Sequence, residues 1–272
     1  PKVPAQNTEL VLAPSTDEAH NDVPVPSAEL FNDLNASGGA LPACPPPQTR
    51  RRAQVLWIAT CDGPFDGYRG PLWRFYPPHR IALLASSPPL RGKLVLSKLQ
   101  ACTGPSAQGL PLEAAWDAKA AAELQSAGAA SAVEKPLDPC SFAWELIIDG
   151  QGPPTQLLRA LSRGATVLKQ DSPYVTFYSP LLLPWRHYVP VADNFADLAE
   201  RVTWLESHPE RAAEIAVAGQ RLAQRLHLHE LACFWWQLLS ALAPLEDFEP
   251  RAGRSFVPPA PLSSAERRAF SL

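Results

Sequence analysis

The stretch SFAWELIIDGQGPPTQLLRALSRGATVLKQ, Ser141 to Gln170, decides the fold. FAWELIIDG is a short apolar run closed by Asp149-Gly150, which predicts a strand. TQLLRALSRG predicts a one-sided helix, with Thr155 near its start and Gly164 just past its end. ATVLKQ predicts a second strand. Strand, helix and strand in that order make a β-α-β unit, so the expectation is a parallel sheet covered by helices, an α/β fold.

Downstream lies DSPYVTFYSPLLLPWRHYVPV, Asp171 to Val191, dense in aromatics and proline with no glycine. It places a stiff loop at the carboxyl end of a parallel strand, where ligands bind in open α/β sheets. Core and edge packing by Tyr174, Phe177, Tyr178 and Trp185 accounts for the same residues, and both readings stand at this point. Asp197 is placed to cap a helix whose Leu198, Val202 and Leu205 share a face. Helical patterning resumes from Glu210 towards Leu226, and a last helix is expected at about His229 to Leu242.

Upstream, Glu9 to Leu12 predicts a short strand running into a polar turn that carries Asp17. GGALPACPPP, Gly38 to Pro47, is a breaker segment with no periodicity and reads as a loop or linker. QVLWIAT, Gln54 to Thr60, predicts a buried strand, and HRIALLASS a helix opening after Pro78. The Ala-rich segment from Ala114 to Ala132 fits a helix and a mobile loop equally well.

Composition removes several function classes. A formal charge of −3, with Arg50 to Arg52 the only basic run, supplies no electrostatic footprint for nucleic acid or anionic membrane. No apolar run approaches the roughly 18 residues that span a bilayer. The chain begins at Pro1 with neither an initiator Met nor a charged-then-apolar leader, as expected of a mature product or a fragment. Its five cysteines are far apart, without C-x-x-C or histidine at ligand spacing, so no structural zinc site is expected. One or two disulfides and five buried thiols are both compatible with that spacing.

CSFAWELIIDGQG, QLLRALSRGATVLKQDSPY, FYSPLLLPWRHYVPV, LAERVTWLESHPERAAEIAVAGQRLA and LACFWWQLLSAL occur in series, and together they resemble the CAP10-like glycosyltransferase family. That family includes relatives of the Rumi protein O-glucosyltransferases and of capsule xylosyltransferases. The likeness runs closely over Cys140 to Phe248. It is weaker upstream, where LVLAPSTDE resembles the strand and turn of the family's aspartate, and GYRGPLWRFYPPHRIALLA its Arg-Gly stretch. The resemblance implies a GT-B-like architecture, two Rossmann-like domains facing a cleft, with the N-terminal one shortened. On this basis residues 1–110 form the reduced acceptor-side domain, 111–139 an Ala-rich connection, 140–250 the nucleotide-sugar-binding domain and 251–272 a tail.

The implied reaction moves glucose or xylose from UDP-glucose or UDP-xylose to a hydroxyl of a protein or glycan in the secretory pathway, with inversion and without metal or cofactor. The absence of any D-x-D pair agrees with metal-free chemistry. By the same resemblance Asp17 is the general base, taking the proton of the attacking hydroxyl. Arg69, Gly70 and Arg80 match the Arg-Gly stretch, with Arg80 on the donor phosphates. Gly150 and Gly152 let backbone approach the donor, and Thr155, Gln156 and Arg159 open the helix expected to face the diphosphate. Asp171 and Tyr174 line the nucleotide pocket, while Trp185, His187 and Tyr188 hold the loop.

The chain departs from the family pattern where relatives read Gly-x-Gly-Trp-Ser-x-Arg. Pro154 replaces the serine and Gln156 the arginine, a lost charged partner worth on the order of 2 kcal/mol. Thr176 stands where an acidic residue is usual, and Pro71 where a serine is. The partner usual for Cys140, near Arg163, is missing, and the partner usual for Cys233 lies in a region this chain lacks. A non-catalytic homologue is therefore the second expectation.

Overall fold

A computed structural model describes residues 11–17, 22–44, 51–59, 84, 87–98, 137–149 and 155–245. The chain enters through β1 (Leu12–Ala13) and β2 (Val23–Pro24), a parallel pair. α1 (Ala28–Ala36) follows, started by Ser27, whose Oγ accepts the Leu30 N–H at 3.2 Å.

Strands β3 (Arg52–Ala59), β4 (Leu94–Lys98) and β5 (Phe142–Ile147) precede α2 (Gln156–Ser162), β6 (Thr166–Gln170) and β7 (Val189–Val191). The chain ends its described part in α3 (Leu198–Ser207), α4 (Pro209–Gln224) and α5 (Leu228–Leu242). The five strands lie in the order β4-β3-β5-β6-β7, all parallel. β3 is the first of these five strands in the chain yet sits between β4 and β5, so the winding reverses at β3 and β5. In sheets of this order the carboxyl ends of those strands open onto the ligand crevice.

Both faces of the sheet are buried, which is why its strands read as nearly continuous apolar runs. Successive side chains point to opposite faces. Trp144, Leu146 and Leu168 pack on one side with Leu198, Val202 and Leu205 of α3 and Ile215 of α4. Ile147 and Val167 pack on the other with Leu157, Leu158 and Leu161 of α2, and with Leu30, Leu34 and Leu231. The three α2 leucines are at most 1% exposed, each stabilising the fold by about 1.5–3 kcal/mol.

α2 stops as its sequence predicts. Gly164 takes φ 72°, its N–H meets the Leu161 carbonyl at 2.9 Å and the Ala165 N–H the Ala160 carbonyl at 3.4 Å, a Schellman ending. Arg51 donates to the carbonyls of Arg163 and Gly164 at 2.6 and 2.5 Å, satisfying the helix end. Below it, Arg163 holds Glu145 of β5, 2% exposed, through two hydrogen bonds of 3.0 and 2.5 Å. α4 crosses α2 closely at Gly219, where a Cβ would fall 2.6 Å from the His187 carbonyl oxygen and 2.7 Å from Leu161 Cδ2.

The α/β class stands, and several boundaries move. The strand expected at Gln54 to Thr60 is β3, and of that expected at Glu9 to Leu12 the described residues are Val11 and Leu12, with β1 at Leu12–Ala13. β3 and β4 hydrogen-bond into the same five-stranded sheet as β5 to β7. The helix read after Pro78 and the Ala-rich segment lie outside the described residues, except for Leu84. Asp197 stands at the start of α3, but its carboxylate accepts from Ala192 N–H at 2.9 Å and from Arg201 Nε at 3.0 Å instead of capping its own helix.

Among the described cysteines, Cys44 and Cys140, 96 residues apart, form a disulfide, while Cys61 and Cys102 lie outside the described residues. It fastens the segment after α1 to the short 3-10 turn Pro139–Ser141 at the head of β5. Cys233 is a free, exposed thiol.

Candidate functional site

Three features converge at the carboxyl ends of β5 and β6. The first is a polar cluster where β5 runs out. Asp149, its side chain 1% exposed, accepts at Oδ2 from Lys169 Nζ at 3.1 Å and from the Ser172 hydroxyl. Its Oδ1 is buried without a hydrogen-bond partner. Lys169 also donates to the Gln170 carbonyl at 2.9 Å. Gln170 in turn receives the Asp149 N–H at 3.2 Å and donates to the Asp193 carbonyl at 2.8 Å. These bonds lock the exits of two neighbouring strands together.

The second feature carries Asp17. An antiparallel bridge joins Thr16 to Val175, with N–H to carbonyl distances of 2.9 and 2.7 Å. It fastens the turn after β1 onto the loop after β6, so Asp17, half-buried, is brought beside the loop that bears Asp171 and Tyr174. Asp171 is exposed, its N–H on the Val191 carbonyl at 2.7 Å, and Tyr174 is half-buried.

The third feature is a cleft of about 230 Å³ between α1, the start of α2 and the loop after β6. Val25, Leu30, Leu158 and Phe177 supply apolar wall. Glu29, Thr155, Thr176 and Tyr178 supply polar groups. Thr155 Oγ1 donates to Glu29 Oε2 at 2.6 Å. Arg159 reaches Asp33 through Nε at 2.5 Å and a terminal nitrogen at 2.7 Å, and Glu29 Oε1 at 3.0 Å. Burial opposes the Arg159 charge, but the bonds and charges of Asp33 and Glu29 outweigh it and hold the guanidinium more firmly protonated than usual. The positive charge expected to face a phosphate is thus matched by two carboxylates of α1.

Tyr178 and Tyr188 stay protonated. Burial raises Tyr178 well above the ordinary phenol value; its hydrogen bond with Thr176 works against that rise and the Asp149 charge adds to it. Burial likewise raises Tyr188, with Asp171 and then Asp149 contributing. Thr176, where the family resemblance leads one to expect an acid, is buried and bonds the Ser179 hydroxyl at 2.9 Å, closing the turn that carries Phe177 and Tyr178.

Among the expected site residues, Thr155 lines the cleft, Arg159 is bound beside it to Glu29 and Asp33, Asp17, Asp171 and Tyr174 lie on the bridged turn and loop, and Gln156 is the first residue of α2. Arg69, Gly70, Arg80, Gly150 and Gly152 lie outside the described residues. Glu29, Asp149 and Lys169 were not among the expected site residues. PSAEL, a serine followed by an acid in the first helical turn, signals α1 and thereby places Glu29 on it. Among the described residues no group of three or more His, Cys, Asp or Glu gathers to hold a metal, and no helix is long and apolar enough to cross a membrane.

Residues 111–260, just over half of the chain, match the family described as Glycosyl transferase family 90. Human Protein O-glucosyltransferase 3 is 35% identical over 120 residues, 43% of this chain and 24% of that protein. Protein O-glucosyltransferase 2 of Danio rerio is 32% identical over 112 residues, 40% of this chain and 22% of that protein. The matched segment thus spans about a quarter of these relatives' length. Among solved structures, sucrose-phosphate synthase from Thermosynechococcus elongatus aligns with a TM-score of 0.47 and 16% identity, over 82% of this chain and 50% of that one. With more than half of its length inside the family's match, this chain belongs to glycosyl transferase family 90.

Proposed function

We propose that this sheet and its helices form the donor-binding unit of a GT-B glycosyltransferase. The enzyme moves glucose or xylose from a UDP-sugar to a hydroxyl of a protein or glycan, inverting and without metal. Family membership supports glycosyl transfer in general. The observation that carries the finer reading is the Thr16–Val175 bridge, which holds Asp17 at the carboxyl edge of the sheet. A carboxylate there can take the proton from an acceptor hydroxyl as that oxygen attacks the anomeric carbon; UDP departs from the opposite face. Buried, protonated Tyr178 and the hydroxyls of Thr155 and Thr176 are groups able to orient a sugar. The Cys44–Cys140 disulfide supports work in an oxidising compartment, consistent with the secretory lumen.

One observation favours a second reading, a non-catalytic homologue that retains glycan binding: Arg159 and Lys169 are both already paired with carboxylates. Calorimetric titration with UDP, with and without Mg²⁺, followed by turnover assays of Asp17→Asn, separates the two. The donor reading expects metal-independent UDP binding that survives Asp17→Asn while transfer falls by orders of magnitude. No UDP binding by folded protein selects the second.

A further inference from the structure

The cleft beside α2 has a charge character that sets it apart from a phosphate site. Arg159 faces both Glu29 and Asp33, so the trio carries a net negative charge. Lys169, the cation at the end of β6, is held by Asp149. A diphosphate in the cleft would lie against the Glu29 carboxylate of its wall and would find neither of these cations unpaired. α2 itself has only seven residues and begins at Thr155, whose hydroxyl is turned to Glu29.

Size argues in the same direction. About 230 Å³ is below the roughly 300–1,000 Å³ that houses a drug-sized ligand, and is suited to a single ring instead of a whole nucleotide sugar. The wall pairs an aromatic and aliphatic side with hydroxyls and one carboxylate. An ionised carboxylate offers about four acceptor positions. Thr155 and Arg159 occupy two on Glu29, whose side chain is 59% exposed, leaving acceptor capacity towards the opening. The group that satisfies it must donate, which an ionised phosphate does not and a sugar hydroxyl does.

We propose that this cleft binds an uncharged, hydroxyl-rich ring of single-hexose size, with Glu29, positioned by Thr155, accepting a hydroxyl of that ring. Assigning the ring to the transferred sugar rests on the donor reading above, and it places the diphosphate elsewhere on the edge. Glu29 is a specificity residue in this arrangement, and Asp33, outside the cleft lining, only steadies Arg159.

Calorimetry on the full chain with UDP-glucose and with UDP tests this, using Glu29→Gln and Asp33→Asn. Glu29→Gln is expected to weaken UDP-glucose about tenfold or more while leaving UDP unchanged, since a hydrogen bond to a charged acceptor is lost. Asp33→Asn is expected to change neither. Thr155→Val, which frees Glu29 from its positioning bond, is the second variant if Glu29→Gln does not fold, with a smaller loss in the same direction. Equal weakening of UDP and UDP-glucose, or no weakening of either, overturns the proposal. If folded wild type binds neither nucleotide, the donor reading fails. Saturation-transfer NMR with methyl β-glucoside then decides the cleft: a signal abolished by Glu29→Gln upholds the ring site, and none in the wild type overturns it.

Discussion

At the scale of single residues, His187 shows how a polar side chain inside the opening loop is made structural. Its Nδ1 accepts the Leu183 N–H at 3.0 Å, a bond only the neutral ring can make, and the residue is 9% exposed. Burial, then the neighbouring Arg186 charge, lowers its pKa, against a hydrogen bond to the Leu181 backbone that raises it. The unfolded chain therefore takes up a proton near pH 6.5 that the folded chain refuses. Stability is complete above that value and declines as pH falls through it towards the depressed folded value. Urea denaturation between pH 8 and 5 should show this slope, flattened in His187→Asn, which keeps an acceptor but cannot titrate. That His187 holds the loop was legible, because histidines among aromatics and prolines seldom face a ligand. That Arg159 is neutralised was not, because its partners lie 126 and 130 residues away.

At the scale of elements, β5, α2 and β6 were legible because each carries its own signals: a closed apolar run, a one-sided helix, and a glycine at the left-handed position. α1, β4 and β7 were not. β7 has three residues, a length at which pairing with a neighbour, not local pattern, makes the strand, and β4 is an edge strand that joins the sheet through β3 alone. The join between α2 and β5 supplies a test at this scale. Glu145 is almost wholly buried, with Arg163 as its charged partner. Removing the arginine strands a buried carboxylate, at a cost of about 3–5 kcal/mol, whereas replacing the whole pair by apolar groups is nearly neutral or better. Arg163→Met should therefore shift the denaturation midpoint strongly. Adding Glu145→Leu should recover most of the loss; a double variant as unstable as the single one would place the energy in Arg163 packing instead.

At the scale of the whole molecule, one sheet gathers strands from residue 52 to residue 191, a long-range pairing that no local segment announces. Short local segments cannot report which distant strand lies beside them. The same scale governs the disulfide. Closing a loop of about a hundred residues removes unfolded-state freedom worth about 4–5 kcal/mol in the chain-entropy limit. Cys44→Ser with Cys140→Ser should lower stability by about 2–5 kcal/mol, measured by denaturation with and without reductant. Reductant should destabilise the wild type and leave the double variant unmoved.

The bridge has another consequence, set by connectivity alone. Cys44 lies before β3 and β4 in the chain and Cys140 after them, so both strands hang on a covalent ring. A protease that cuts a single peptide bond anywhere between residues 45 and 139 leaves two polypeptides that remain one molecule. They migrate together on a gel until a thiol is added, and only then part.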